Sequence, residues 1–457
     1  MAGGAKYQPY PSYKSSGVEW LGDIPEGWET YSAKRLFDNR REPSSASDEQ
    51  LAASQAYGVV PQSKMMERNN AKVMLALKGT ESFRHVEVGD FVISLRSFEG
   101  GIEYSAFSGC VSPAYTVLNP HGPVSGQFFR HYLKSKPFVA ALQASTDSLR
   151  DGKSISYQQF GALIVGLPPL TEQTKIAAFL DHETAKIDAL IAKQQRLIAL
   201  LEEKRQAVIS HAVTKGLNPS APLRPSGIDW LGDVPEHWEV KSLKHLGEVT
   251  DCKHITAEFT DDGFPLASIA EVKGWSVNLD TAKFTTKKYY ESLIEGGRRP
   301  EINDIIYSRN ATVGAAAIVT EGMPEFAMGQ DVCLIRLSTN VLPALVLHIL
   351  KSKVVEQQLA LAMIGSTFKR INVEDIRNFR MAVPPKAEQK SILLTLEKIS
   401  SKYADLIEKA SLAASLLKER RTALISAAVT GKIDLRDWQP PASAIARTAY
   451  ISKDEFA

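Results

Sequence analysis

The chain has 457 residues, of which 44% are hydrophobic and 23% charged, and its formal net charge is +2. This is the balance of a folded chain large enough for two or more cores, and it excludes an intrinsically disordered protein. No apolar run approaches the roughly 18 residues of a membrane span and the start is not basic-then-apolar, so neither a span nor a signal peptide is expected.

In chain order, the first distinctive segment is 16–29, SGVEWLGDIPEGWE, which returns 210 positions later at 226–239 as SGIDWLGDVPEHWE. Ten of the 14 positions are identical, and three of the four changes are Val/Ile or Glu/Asp exchanges that keep shape or charge. A second repeat follows. Residues 167–216 (LPPLTEQTKIAAFL … EEKRQAVISHAVTKG) recur at 383–432 (VPPKAEQKSILLTL … KERRTALISAAVTGK), offset by 216. The stretches between the repeats, about 30–166 and 240–382, differ along most of their length. A chain that duplicates its scaffold but not its inserts presents two different surfaces in one fixed relationship.

Both inserts read as mixed α/β. Phe91-Val92-Ile93-Ser94-Leu95 after Gly89-Asp90 is a predicted buried strand, as is Ile305-Ile306-Tyr307-Ser308 after Asn303-Asp304. Arg96 and Arg309 follow these strands. Residues 127–136 and 342–353 are predicted amphipathic helices ending in Lys-Ser-Lys triplets. Further on, Ser145-Thr146 … Lys153-Ser154-Ile155 parallels Ser366-Thr367 … Lys369-Arg370-Ile371. The inserts are therefore expected to share a fold while differing over most of their surface.

Basic and polar residues gather at predicted loops: Lys64 with Arg68, Arg150 with Lys153 and Ser154, Lys287 with Lys288, Arg298 with Arg299, and Lys369 with Arg370 beside Ser366 and Thr367. Phosphates need cations, and base edges are read by Arg, Lys, Asn, Gln, Ser and Thr. These residues, with Arg96 and Arg309, are the candidate nucleic-acid contacts. Any one pair is more often a solvated surface; recurrence at corresponding places in both inserts singles them out. Tyr289-Tyr290 beside Lys287-Lys288 fits core packing better than a groove contact.

Each copy of the second repeat opens on a Pro-Pro pair, Pro168-Pro169 or Pro384-Pro385, and then runs without Gly or Pro for over forty residues. The prolines exclude helix before them. Thr171 is the predicted cap of the first helix, Glu172 and Glu388 place charge in the first turns, and Gly216 and Gly431 mark the stops. Apolar residues fall on a heptad grid. One column is Leu180, Ile187, Gln194, Leu201, Val208 and the other Ile176, Glu183, Leu190, Leu197, Lys204. Shifted by 216 they become Leu396, Tyr403, Ala410, Leu417, Leu424 and Ile392, Ile399, Leu406, Ala413, Arg420. A two-column seam predicts helix-on-helix packing. His182 and His211 fall off it and are expected to be exposed.

A short Pro-rich linker (GLNPSAPLRPSG) joins the first helix to the second insert, which delivers the chain to the second helix. If that insert is compact, the end of one helix lies near the start of the other and the pair is antiparallel. About forty helical residues span roughly 60 Å. The expected fold class is α/β: two mixed α/β domains at opposite ends of two long antiparallel coiled-coil helices, with a pseudo-two-fold internal repeat. The expected parts are 1–28 (N-terminal segment), 29–167 (first insert domain), 168–225 (central helix and linker), 226–383 (second motif and insert domain), 384–435 (C-terminal helix) and 436–457 (tail). The tail matches nothing repeated, and either packs on the N-terminal segment or is free.

The absences discriminate further. There is no Gly-x-Gly-x-x-Gly loop, no Walker lysine loop, no HExxH, no CxxC and no nucleophile elbow. The Pro-Pro pairs follow Leu167 and Val383, where an amino-methyltransferase would need Asn or Asp. Cys110, Cys252 and Cys333 are isolated and odd in number, which suits a reducing compartment and argues against a disulfide framework or zinc ribbon. No catalytic and no metal-ligating residues are assigned.

The two WLG-x-(I/V)-P-x-x-W segments, the (L/V)-P-P-x-x-E-Q helix starts and the A-(L/V)-I-S-x-A-V-T helix ends resemble the specificity (S) subunit of type I restriction–modification systems. The likeness runs from about 16 to 435, in the family's order of recognition domain, central helix, recognition domain and C-terminal helix. It implies that the inserts are target-recognition domains for double-stranded DNA. It also implies that the helices are spacers and docking surfaces for two methylation (M) subunits, with restriction (R) subunits joining the complex. S-adenosylmethionine, ATP and Mg would belong to those partners, not to this chain, and the setting would be a prokaryotic cytoplasm without membrane association. Two other classes stay open: a helical adaptor without DNA binding, and a recognition module of, or enzyme within, another methyltransferase or nuclease system.

Overall fold

The computed structural model describes residues 7–69, 82–95, 97–145, 155–310, 312–363 and 370–440. Its longest elements begin immediately after the Pro-Pro pairs: helices Leu170–Lys215, 46 residues, and Lys386–Val429, 44 residues. The amides of Glu172 and Gln173 both donate to Pro169 O at 2.9 Å, so Thr171 lies inside the first turn and does not cap it. Both helices stop at a left-handed glycine, Gly216 (φ 74°) and Gly431 (φ 70°). After the second, the Lys432 amide reaches back to Ala427 O at 2.8 Å, which satisfies a carbonyl that the helix end leaves open.

The chain forms two compact units, residues 1–194 with 412–457, and residues 195–411. The dividing points fall inside the long helices, so each unit contains the start of one helix and the end of the other.

In the first unit, Tyr13–Ser15 pairs with Asp23–Pro25, and Glu29–Ser32 pairs antiparallel with Ile164–Leu167, which closes the first insert on itself. Inside it, an antiparallel sheet runs in the order Phe37–Arg40, Thr116–Pro120, Phe91–Ile93, Glu103–Tyr104. Aromatic rings fill the space beneath. Phe37 sits edge-on to Phe91, Phe129 and Phe160 at ring-centroid distances of 5.1–5.7 Å, an arrangement their quadrupoles favour.

The second unit repeats this plan. Leu223–Pro225 pairs with Asp233–Pro235, Glu239–Ser242 with Arg380–Val383, and the sheet order is Gly247–Asp251, Val332–Leu337, Ile305–Ser308, Ala316–Ile318. Counted along each chain segment, both sheets have strand order 1-4-2-3. The second insert adds a further four-stranded sheet, Phe259–Thr260, Lys283–Thr285, Phe264–Ala267 and Ala327–Met328, whose last pair is parallel. No four-stranded counterpart occurs among the described residues of the first insert. The inserts share a sheet and differ in what is built on it.

The expected helix 127–136 is two helices, Gly126–Tyr132 and Lys136–Ala144, and the expected helix 342–353 is Pro343–Leu350 and Lys353–Ala362. The serine of each Lys-Ser-Lys triplet makes the break. Buried Ser135 and Ser352 turn their hydroxyls back to Tyr132 O (2.7 Å) and Ile349 O (2.6 Å), competing with helix continuation.

In the first unit, Ile176, Ala177, Phe179 and Leu180 share one buried cluster with Ala428 and Val429, and Asp188 pairs with Arg421 at 2.8 Å. The two helical segments therefore run antiparallel there. In the second unit Ile209, Ala212 and Val213 share a cluster with Ile392 and Leu396, and a Cβ on Gly216 would lie 3.0 Å from Glu388. One seam column is covered as expected: Leu180, Ile187 and Leu396 are buried, and Leu201, Val208, Tyr403, Leu417 and Leu424 half-buried. The other column is covered at Ile176, Glu183 and Ile392 and is displaced by one residue further along. Ile191 is 9% exposed where Leu190 is 46%, and Leu406 is 39% exposed beside half-buried Ile407. Runs such as Leu190-Ile191 and Leu406-Ile407 put apolar side chains on both flanks of the covered column, so periodicity did not distinguish the flanks.

The residues after the second helix pack into the first unit: Leu435 is buried, the Asp434 amide donates to Gln8 O at 2.8 Å, and Trp438 meets Phe179 edge-on at 5.5 Å. Trp438 also covers His182, which is half-buried rather than exposed, whereas His211 is exposed. Cys110, Cys252 and Cys333 are buried free thiols.

Candidate functional site

What positions the two inserts is a pair of matching junctions built from the repeated motifs. In the first, the indole N–H of buried Trp28 donates to Glu172 Oε1 at 2.8 Å, and the Tyr10 hydroxyl donates to the same oxygen. Burial, and then the Glu172 hydrogen bond, push the Tyr10 phenol well above its usual range. Gln173 donates to Pro168 O and Pro123 O, both at 2.9 Å, and accepts from the Ser125 amide at 2.8 Å. The second junction uses the corresponding residues. Trp238 donates to Glu388 Oε2 at 3.0 Å; Gln389 donates to Pro384 O (3.0 Å) and Asn340 O (3.2 Å) and accepts from the Leu342 amide at 2.8 Å. Each Glu-Gln pair thus fastens a helix start to the WLG motif on one side and to the insert's own helix on the other.

The inserts present the candidate contacts unevenly. Lys64 stands exposed on helix Gln62–Asn69 with its ammonium 4.6 Å above the Phe107 ring. Lys287 and Lys288 are exposed at the start of helix Lys287–Ile294, which Thr286 caps, and Arg370 is exposed. Arg298 is spent on its own loop: its Nε donates to Asp251 O at 2.8 Å and its Nη1 to Glu295 O at 2.9 Å. Arg309 is 4% exposed and faces Asp251 at 2.9 Å, which makes it an internal tie at a strand end rather than a surface cation. Arg96, Arg150, Lys153, Ser154, Ser366, Thr367 and Lys369 lie outside the described residues, as does the side chain of Arg68. Tyr290 is buried, stacked on Phe264 at 4.1 Å, so that pair is core.

Sequence reasoning missed Lys283 and Phe259 on the second insert's extra sheet. Phe259 is 56% exposed, with the Lys283 ammonium 4.4 Å from its ring centroid. An exposed ring beside a cation can meet both a base or sugar face and a phosphate. The signal was a lone Phe and a lone Lys, 24 positions apart, that only strand pairing brings together. Also missed was Asp181, which takes His131 Nε2 at 2.7 Å and Arg130. Burial works to raise that carboxyl, but the His131 hydrogen bond and the Arg130 charge outweigh it and hold it below the usual range. Among the described residues no group of three or more His, Cys, Asp or Glu is placed to hold a metal, and no helix is long and apolar enough to cross a membrane.

The family model for the type I restriction modification DNA specificity domain matches residues 235–413, which contain the second insert and the start of the second long helix. The specificity subunit of the type I restriction enzyme EcoBI from Escherichia coli is 26% identical over 292 residues, 62% of this chain and 60% of that protein. Over the second insert and the start of the second long helix the chain is thus similar to the specificity subunits of type I restriction–modification systems. A second relative, the MjaVIII specificity subunit of Methanocaldococcus jannaschii, is 24% identical over 284 residues, 61% of this chain and 64% of that one. In both cases the match spans less than two thirds of the relative's length. A solved chain from a type I restriction–modification system has the same fold, with a TM-score of 0.69 at 16% identity over 90% of this chain and 99% of that chain.

Proposed function

We propose that this chain belongs to the type I restriction–modification specificity-subunit family and is the non-catalytic DNA-specificity subunit of such a complex. Each insert reads one half of a bipartite, asymmetric site. The long helices set the distance between the halves and dock two methylation subunits, directing adenine N6 methylation or, with restriction subunits, cleavage. S-adenosylmethionine, ATP and Mg act in those partners, in a prokaryotic cytoplasm.

The observation that carries this reading is the duplicated junction, Trp28–Glu172 with Gln173 and Trp238–Glu388 with Gln389, holding two inserts that share a sheet and a helix pair and differ in what is built on them. One scaffold with two unlike reading surfaces suits an asymmetric site with an unread gap. The leucines left uncovered on the long helices, Leu190, Leu197 and Leu200 on one and Leu406, Leu412 and Leu416 on the other, supply apolar surface for partner subunits. A complex assembled with its methylation subunits is expected to protect two short DNA segments with an unprotected gap. Binding should weaken steeply with salt as phosphate contacts release counterions. A single continuous footprint, or binding indifferent to salt, contradicts the proposal.

A further inference from the structure

The second unit contains a cavity of about 400 Å³ whose lining includes Arg205, Trp275, His348, Lys351, Ser400 and Ser401, and no acidic residue. Arg205 comes from the first long helix and Ser400 and Ser401 from the second, while His348 and Lys351 come from the insert. Lys351 donates to Gly274 O at 2.7 Å and lies 5.0 Å from the Trp275 ring centroid, which holds its ammonium at the cavity wall. His348 is 6% exposed, yet its Nδ1 has no hydrogen-bond partner, and neither does the buried hydroxyl of Ser400. A buried polar atom left unpaired costs about 1–3 kcal/mol, so two of them beside two cations call for a ligand. Glu397, the counterpart of Asp181 by the 216-residue shift, lines an adjoining groove shared with Trp275, His348 and Ser400 but is not part of the cavity wall.

In the first unit the corresponding arginine faces an acid from the other helix. The 216-residue shift carries Arg205 to Arg421 and Ala404 back to Asp188, and Arg421 pairs with Asp188 at 2.8 Å. His348 of the string HILKSK answers to His131 of HYLKSK, and His131 is bonded to Asp181 at 2.7 Å. In the second unit Ala404 replaces Asp188, the acid that faces the arginine, while Glu397 keeps the acid of Asp181. Arg205 has kept its charge and lost its partner.

We propose that this cavity binds a small oxyanion, a phosphate or carboxylate group, between Arg205 and Lys351, with His348 and Ser400 as additional hydrogen-bonding groups. The site lies in the second unit only. Burial, and then the Lys351 charge, push the His348 imidazole down to about 4, so at neutral pH it is uncharged and meets the anion through one ring nitrogen. The volume exceeds that of a bare ion, and half-exposed Trp275 offers a flat wall for the rest of the ligand.

The test is calorimetric titration of the full chain with inorganic phosphate and, separately, with acetate, while the His348 ring nitrogens are followed by NMR. Saturable binding of either anion that shifts the His348 signals supports the site, and the tighter of the two identifies the group recognised. Arg205→Met and Lys351→Met should each weaken binding by about tenfold or more, the usual loss for a charge-assisted hydrogen bond. Ala404→Asp, which restores the acid of the first unit, should abolish binding in a folded chain. No saturable binding of either anion, or binding unchanged in Ala404→Asp, overturns the proposal.

Discussion

Trp28 and Glu172, 144 residues apart, meet at 2.8 Å in a buried hydrogen bond, and the same contact recurs between Trp238 and Glu388 at 3.0 Å. A hydrogen bond to a buried carboxylate contributes about 1.5–3 kcal/mol, more than a neutral one. Glu172→Ala should therefore destabilise the first unit by about that amount, leaving Trp28 and Tyr10 without an acceptor, and Glu388→Ala should destabilise the second by less, because Glu388 is only half-buried. Hydrogen exchange resolved by peptide checks this: each variant should lose protection in its own unit. Equal loss in both units contradicts the assignment of one junction to each.

The displaced seam column yields a sharper contrast between neighbours. Ile191→Ala removes a covered side chain and should cost about 2–4 kcal/mol, while Leu190→Ala should stay within about 0.5 kcal/mol in the isolated chain. Urea unfolding of both variants distinguishes the observed seam from the one that periodicity suggests. In the complex with methylation subunits the order should reverse for binding, with Leu190→Ala now the weaker partner.

His348 gives the second unit a pH dependence of known sign. Its pKa is depressed in the folded chain to about 4 from an ordinary 6.5, so the unfolded chain takes up the proton first as pH falls. Its contribution is fully present above about pH 6.5 and is lost as pH falls towards 4, at up to about 1.4 kcal/mol per pH unit. The difference in stability between the native chain and His348→Gln should therefore shrink across this window. A difference independent of pH contradicts a neutral, buried imidazole.

The surface cations should separate from the buried one. Lys64→Ala and Lys283→Ala should each lower the slope of log affinity against log salt by about one, without affecting stability. Arg309→Ala should instead destabilise the second insert, by about 1–3 kcal/mol, because it removes a buried side chain and its tie to half-buried Asp251. Filter binding across a salt series, with thermal unfolding alongside, measures both.

The scaffold was legible in the sequence because duplication exposed it. Pro168-Pro169, Gly216 and their copies bounded the helices to within two residues, and the linker implied their direction. One flank of the seam was not legible, since Leu190 and Ile191 are equally apolar and only packing chooses between them. The broken helices were missed because Ser135 and Ser352 act through their hydroxyls on carbonyls three residues back, a local competition that composition does not reveal. Site residues were the least legible. Arg309 and Lys64 look alike as letters; one is turned inward by Asp251 and the other outward over Phe107. The Phe259–Lys283 pair exists only through strand pairing, and the Arg205 cavity only through an alanine where the other unit has an aspartate.

The central claim, two unlike readers on one scaffold, is tested most directly by a methylome. The chain is co-expressed with its cognate methylation subunit in a methylation-free host, complex formation is verified, and N6-methyladenine is mapped by long-read sequencing. The account predicts one two-part motif with a fixed gap, absent when this chain is omitted. An intact complex that leaves no such motif, or one that methylates the same sites without this chain, contradicts it.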